Sequence, residues 1–144
     1  MATESPLIVD GSQTTANTDM SGPAPFGTGA TLAGQGGSGQ FLAVNIVGSR
    51  LVDIVATGEV AVYGIVQNKP RAGQAAAVGI MGVTKACAGA AVSSGAALQV
   101  MDDGSGRLIT HASTAVQVAV ALEAAAGSTS IFTVALIPNA SALT

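Results

Sequence analysis

Four stretches of the chain alternate apolar and other positions with a period of two. In FLAVNIV, Leu42, Val44 and Ile46 alternate with Phe41, Ala43, Asn45 and Val47. In EVAVYGIVQ, Val60, Val62 and Val66 fall on one side, Tyr63 and Ile65 on the other. In VQVAVALE, Val116, Val118, Val120 and Leu122 alternate with Gln117, Ala119, Ala121 and Glu123. In SIFTVALI, Phe132, Val134 and Leu136 alternate with Ile131, Thr133, Ala135 and Ile137. This spacing, rich in β-branched residues, is the pattern of half-buried strands. A shorter run, RLIT, reads as a strand with His111 at its exposed end. The Ala-rich AGQAAAV has the composition of a helical turn, but frequent Gly stops any long helix.

Turn residues separate these runs. Asn68-Lys69-Pro70-Arg71-Ala72-Gly73 carries both Pro and Gly. Asp102-Asp103-Gly104-Ser105-Gly106 is a hairpin loop of the Asp-Gly type. Ala126-Gly127-Ser128 divides the last two runs. Short strands at intervals of roughly 8–12 residues predict an all-β fold, a small barrel or sandwich.

The first part of the chain reads differently. Residues 1–40 contain SGPAPFGTGATLAGQGGSGQ, whose Gly, Ser, Thr and Pro favour turns and open coil. The expected organisation is an extended arm over residues 1–40 and a β-rich domain over residues 41–144. Two apolar anchors interrupt the arm, Leu7-Ile8-Val9 and Phe26. The arm fits either a tail that stays disordered in the free protein or an adhesive segment. In the second case Leu7, Ile8, Val9 and Phe26 are the residues to fill pockets on a partner.

Composition narrows the classes. Hydrophobic residues are 49% of the 144 and aromatic residues 3%, so Ala, Val, Ile and Leu must build the core. Each Ala buries little area, which keeps stability per residue modest. Charged residues are 9%, against about 25% in an ordinary soluble domain. Little charge with much apolar surface points to a chain that is covered in use. No apolar run reaches the length of about 18 residues that a membrane-crossing helix needs. Asp53 and Glu59 interrupt the most hydrophobic region. The net charge is −3 and no basic patch exists, so nucleic acid is not the expected partner. MATESPLIVDG has neither a basic region nor a long apolar core, so no secretory signal is expected, and synthesis in a cytoplasm is.

The residue types that do chemistry are scarce. One Cys and one His cannot complete a structural zinc site. Cys87, in VTKACAGA, reads as a small buried or half-buried hydrophobe. Asp102 and Asp103 lack the spaced ligands and closing Glu of a calcium loop, and read as a solvated turn. GTGATLAGQGGSGQ lacks the Gly-Lys-Ser/Thr of a phosphate-binding loop and the spacing of a dinucleotide loop. The chain has no G-x-S-x-G. No catalytic, cofactor or metal residue is therefore expected, and the protein is not expected to be an enzyme. AGAAVSSGAAL has the rhythm of the hairpin in biotinyl and lipoyl carrier domains. Those domains present their lysine in a tight turn beside Met or Asp. Here Met101 is followed by Asp102 and Asp103, and Lys85 lies upstream in a predicted strand.

From Val62 to Pro138 the chain resembles the head decoration, or capsid cement, proteins of tailed phages. The resemblance is carried by VYGIVQNKPRAGQAAAVGIMGVTKACAGAAVSSGAALQV, DGSGR, VAVALEAA and FTVALIP. In order these give a strand ending in Gln67, a Pro/Gly turn, a Gly-Val-x-Lys strand, a turn between Gly89 and Gly95, and a late Ala-Leu-Glu-Ala strand. Val120 stands where the family often has Gly. The resemblance covers a little over half the chain. It implies a non-enzymatic β-tulip domain on the outer surface of an icosahedral virion. The partner would be the major capsid protein, the contacts between its subunits would be reinforced, and homotrimers are the preferred state. The alternative is a β-rich carrier or ligand-binding domain of the biotinyl or lipoyl kind, modified on Lys85 or Lys69.

Overall fold

A computed structural model describes residues 13–18 as backbone, and residues 39–49, 51–55, 57, 62–68 and 75–137 in full. These residues form ten strands and no helix. They are β1 (Gln13–Thr18), β2 (Ala43–Gly48), β3 (Leu51–Ile54), β4 (Gly64–Val66) and β5 (Ala75–Gly79). The others are β6 (Gly82–Cys87), β7 (Ala97–Val100), β8 (Leu108–Thr110), β9 (Ala119–Ala121) and β10 (Ile131–Leu136). The expected all-β class and small barrel are both present.

The first five strands close a barrel in the order β1-β3-β2-β4-β5. The closing strand is β1, parallel to β3 and antiparallel to β5. It falls inside the segment that reads as an arm. Closure leaves this sheet without a free edge. The second sheet runs β6-β10-β9-β7-β8. It curls until Ala88, just past β6, bridges to Leu108 in β8.

Two apolar clusters result, and they share a wall. Leu42, Val44, Val52, Ile54, Val66, Ala76 and Val78 form one cluster, mostly from the barrel strands. Ala43 and Ile65, on the opposite faces of the same wall, join Leu98, Val100, Leu108, Phe132 and Val134 of the second sheet. The wall is therefore buried on both sides, which is why Phe41-Leu42-Ala43-Val44 and Ile65-Val66 are continuously apolar. From β6, Ala86 enters the second cluster and Cys87 the first, so one strand stitches both.

The hairpin predicted at Asp102–Gly106 joins β7 to β8. Gly106 holds it against the wall: its φ is +70°, and Ala43 N–H donates to its carbonyl at 2.8 Å. A Cβ there would stand 2.7 Å from Ile54 Cγ2 and 2.9 Å from the Ala43 oxygen, so only Gly fits.

Three expectations change. The Ala-rich run is not helical: Ala75, Ala76 and Ala77 lie in β5, paired with β1, and tertiary pairing overrides Ala's helix preference. In VQVAVALE the alternation slips. Val116 and Val118 are buried, but so are Ala119 and Ala121, while Leu122 is 47% exposed. Small residues face the core in β9, opposite the volume taken by Phe132 and Leu98. Around β4 the faces also shift. Val62 packs on the second-sheet cluster and Tyr63 on the barrel cluster, whereas Val66 joins the barrel side. Val44 is registered with Gly64, yet its carbonyl accepts from Tyr63 N–H at 2.8 Å, an extra residue in the ladder. The slip occurs where Gly64 lies so close to β5 that a Cβ would meet the Gly79 carbonyl.

Among the described residues Phe132 is the largest fully buried side chain. Phe132→Ala is expected to cost about 3–5 kcal/mol, a large share of what an Ala/Val core supplies. Chemical denaturation followed by circular dichroism measures the loss; a cost below about 1 kcal/mol would mean that the two-cluster core tolerates the cavity.

Candidate interaction surface

The side of β6, β10 and β9 that faces away from the core carries the most concentrated set of exposed apolar residues. Antiparallel register sets Val83 beside Ala135 and Ala135 beside Val120. It also sets Lys85 beside Thr133, and Leu122 N–H donates to the Thr133 carbonyl at 2.9 Å. Directly opposed residues share a face. Val83 is 65% exposed, Leu122 47% and Ile131 41%; Ile137, just past β10, is 39% exposed.

One polar knot lies among them. Thr133 Oγ1 donates to Glu123 Oε1 at 2.8 Å and accepts from Lys85 Nζ at 2.8 Å. Thr133 N–H donates to the same Glu123 oxygen at 2.8 Å. Lys85 and Glu123 themselves stand 3.4 Å apart. Thr133 thus positions both charges. Its hydroxyl and its N–H, and to a lesser degree the Lys85 ammonium, hold the Glu123 carboxyl below the ordinary glutamate range. The knot pairs one positive with one negative charge and leaves the face without net charge.

The other residues singled out by type are placed elsewhere. Cys87 is fully buried in the barrel cluster, as a small hydrophobe. Burial pushes its thiol pKa up, against the pull of the Arg107 guanidinium. A thiol in that state is a poor nucleophile. His111, half-buried after β8, donates its N–H to Ala97 O at 2.8 Å, and its Nε2 lies 2.9 Å from Ala115 O. Asp102 and Asp103 are exposed in the hairpin loop, where Asp103 Oδ1 accepts from Ser105 N–H at 2.9 Å. No cluster of three or more His, Cys, Asp or Glu suited to a metal ion occurs among the described residues. No helix among them is long and apolar enough to cross a membrane.

Leu7, Ile8, Val9 and Phe26, the expected contact residues, lie outside the described residues, as does Lys69. Lys85 is in mid-β6. The knot was not foreseen from the sequence. Its signal was nonetheless there: Lys85, Glu123 and Thr133 are polar residues within or beside three apolar strand patterns.

Neither a family model nor a curated protein matches this chain.

Glu123 generates a pH prediction. A carboxyl whose folded pKa is depressed adds stability above its unfolded pKa and loses it as pH falls through the folded value. The Glu123 carboxyl is expected to titrate below an ordinary glutamate in NMR, and Thr133→Val, which keeps the backbone N–H and Lys85 but removes the hydroxyl, to move it up toward the ordinary range. An unchanged midpoint in Thr133→Val would show that the Thr133 hydroxyl does not hold the carboxylate.

Proposed function

We propose that this chain is a structural decoration protein that binds the outside of a tailed-phage head and ties major capsid subunits together. The observation that carries this reading is the face of β6, β10 and β9, where Val83, Leu122, Ile131 and Ile137 stand in solvent around one self-satisfied polar knot. Large exposed apolar residues on a face without net charge suit burial against a protein surface. The sequence pattern of apolar and Gly positions from Val62 to Pro138, which resembles that of the cement proteins, supports the same reading. Homotrimers at three-fold positions on the virion follow from the resemblance. The residues before β1, with Leu7, Ile8 and Val9, are the second point of attachment.

The carrier alternative requires a lysine offered in an exposed turn. Lys85 lies mid-strand with its ammonium bonded to Thr133. No observation favours that reading.

The test is co-sedimentation with purified heads, scored for bound copies per capsid subunit. The full chain is expected to bind at a fixed stoichiometry in hundreds of copies per particle. Leu122→Asp, with an unchanged circular dichroism spectrum, is expected to bind at least about tenfold more weakly, ~1.4 kcal/mol. Deletion of residues 1–12, which spares β1 and barrel closure, is expected to weaken binding by at least the same factor. No binding of the full chain to heads would sink the proposal; normal binding by Leu122→Asp would move the contact off this face.

A further inference from the structure

We propose that Gln67 is a strand surrogate that closes the outer edge of β6 against pairing with a second copy of this chain. β6 is an end strand of the second sheet, with β10 on one side only. End strands present unpaired N–H and C=O groups to any passing extended chain. The outward-facing groups of β6 belong to alternate residues, and two hydrogen bonds identify which. Cys87 N–H donates outward to Phe41 O at 2.9 Å. Lys85 N–H donates outward to Gln67 Oε1 at 3.4 Å. The period of two then makes Val83, Lys85 and Cys87 the outward set.

Gln67 treats Lys85 as a neighbouring strand would. Its Oε1 accepts from Lys85 N–H, and its Nε2 donates to Lys85 O at 3.2 Å. One side-chain amide thereby supplies the donor and the acceptor of a hydrogen-bonded antiparallel pair. The next residue repeats the device on another strand. Asn68 Nδ2 donates to Ala75 O at 3.0 Å, and its Oδ1 accepts from Ala77 N–H at 2.9 Å. β4 stops at Val66, after three residues. Past β4, two amide side chains act as pairing partners for strands on either side. Asn68 does so on β5, a strand that β4 itself pairs. Gln67 does so on β6, with which β4 has no ladder and where the alternative occupant is another chain.

The surrogate is itself held in place. Gln40 Nε2 donates to Gln67 O at 2.8 Å, Gln67 N–H donates to Ala77 O at 2.8 Å, and Gln67 Nε2 also reaches Ile65 O at 3.1 Å. Lys85 and Cys87 are closed, and Val83, 65% exposed, is the open position beside them. A second copy needs Lys85's groups as well as Val83's for a ladder of useful length. Gln67 denies it the first pair.

The experiment uses the full chain with Gln67→Ala. Hydrogen exchange at the Lys85 amide is expected to quicken roughly tenfold at low protein concentration, because a local opening no longer has to break the clasp. Sedimentation velocity at rising concentration is expected to reveal species larger than those of the unsubstituted chain. Adding Val83→Lys is expected to remove them, since charge on an edge blocks strand pairing. Gln67→Glu keeps the acceptor for Lys85 N–H and sets an acceptor against Lys85 O. It is expected to be intermediate, and it carries the test should Gln67→Ala fail to fold by circular dichroism. Unchanged association in the substituted chain overturns the proposal, whether or not exchange quickens. So does new association that survives Val83→Lys.

Discussion

The wall made by β2 and β4 is the constraint from which the rest follows. At Leu42–Val44 and Ile65–Val66 it is buried on one side by the barrel interior and on the other by the second sheet. A wall shared by two cores cannot alternate between apolar and polar residues, and along those stretches it does not. Nor can it bow outward to make room for large side chains. Ala43 is inside on one face and Leu42 and Val44 on the other, so any gain of volume on either side strains both clusters. This explains the composition better than a general preference for small residues does. Ala76, Ala86, Ala88, Ala119, Ala121 and Ala125 are buried in sheets drawn tightly against one wall. Phe132 is the one aromatic side chain among the fully buried of the described residues.

The same tightness appears as backbone strain where the two sheets are tied. Phe41 has φ +66° and Thr129 φ +70°. Both serve the end of β6: Cys87 N–H donates to Phe41 O at 2.9 Å, and Thr129 N–H donates to Ala88 O at 2.8 Å. A β-branched residue in the left-handed region is unfavourable. Its persistence at Thr129 means that the surrounding pairing over-determines the backbone there. The strain and the stitching strand coincide because the end of β6 serves both clusters at once, Ala86 and Ala88 facing the second and Cys87 the barrel.

Much of this was legible in the sequence where one rule sufficed. The β10 pattern predicted its faces correctly, Phe132 and Val134 inward and Ile131 outward, because a strand buried on one side obeys the period of two. The Asp-Gly hairpin and the buried Cys87 were legible for similar reasons. The failures share a different cause. β9 has small residues inside and larger ones outside, so apolar size was read as burial when space was the deciding quantity. β4 slips its register at Gly64, and a single residue of slip exchanges faces. Ala75–Ala77 carried a local helix preference that pairing with β1 outweighed. Gln67 and Asn68 looked like turn residues, and they are. That their amides also stand in for backbone depends on how close β6 and β5 come, which no single stretch of sequence encodes.

A core of small residues and an apolar outer face are two sides of one economy. Small side chains let the strands approach closely, and backbone pairing then supplies much of the order. Each such side chain contributes little transfer free energy, so the isolated chain draws modest stability from burial. The residues large enough to add more, Val83, Leu122, Ile131 and Ile137, are instead in solvent. Further burial of these residues requires contact with another surface, and binding of that kind stabilises a fold by an amount that grows with the logarithm of the partner's concentration over its Kd. The knot of Lys85, Thr133 and Glu123 fits this arrangement. Exposed ion pairs add little to folding, but this pair is already neutral and shares a neighbouring hydroxyl. Covering the face therefore leaves fewer groups to match than a lone lysine or glutamate would, whose unpaired charge is the usual obstacle to burial.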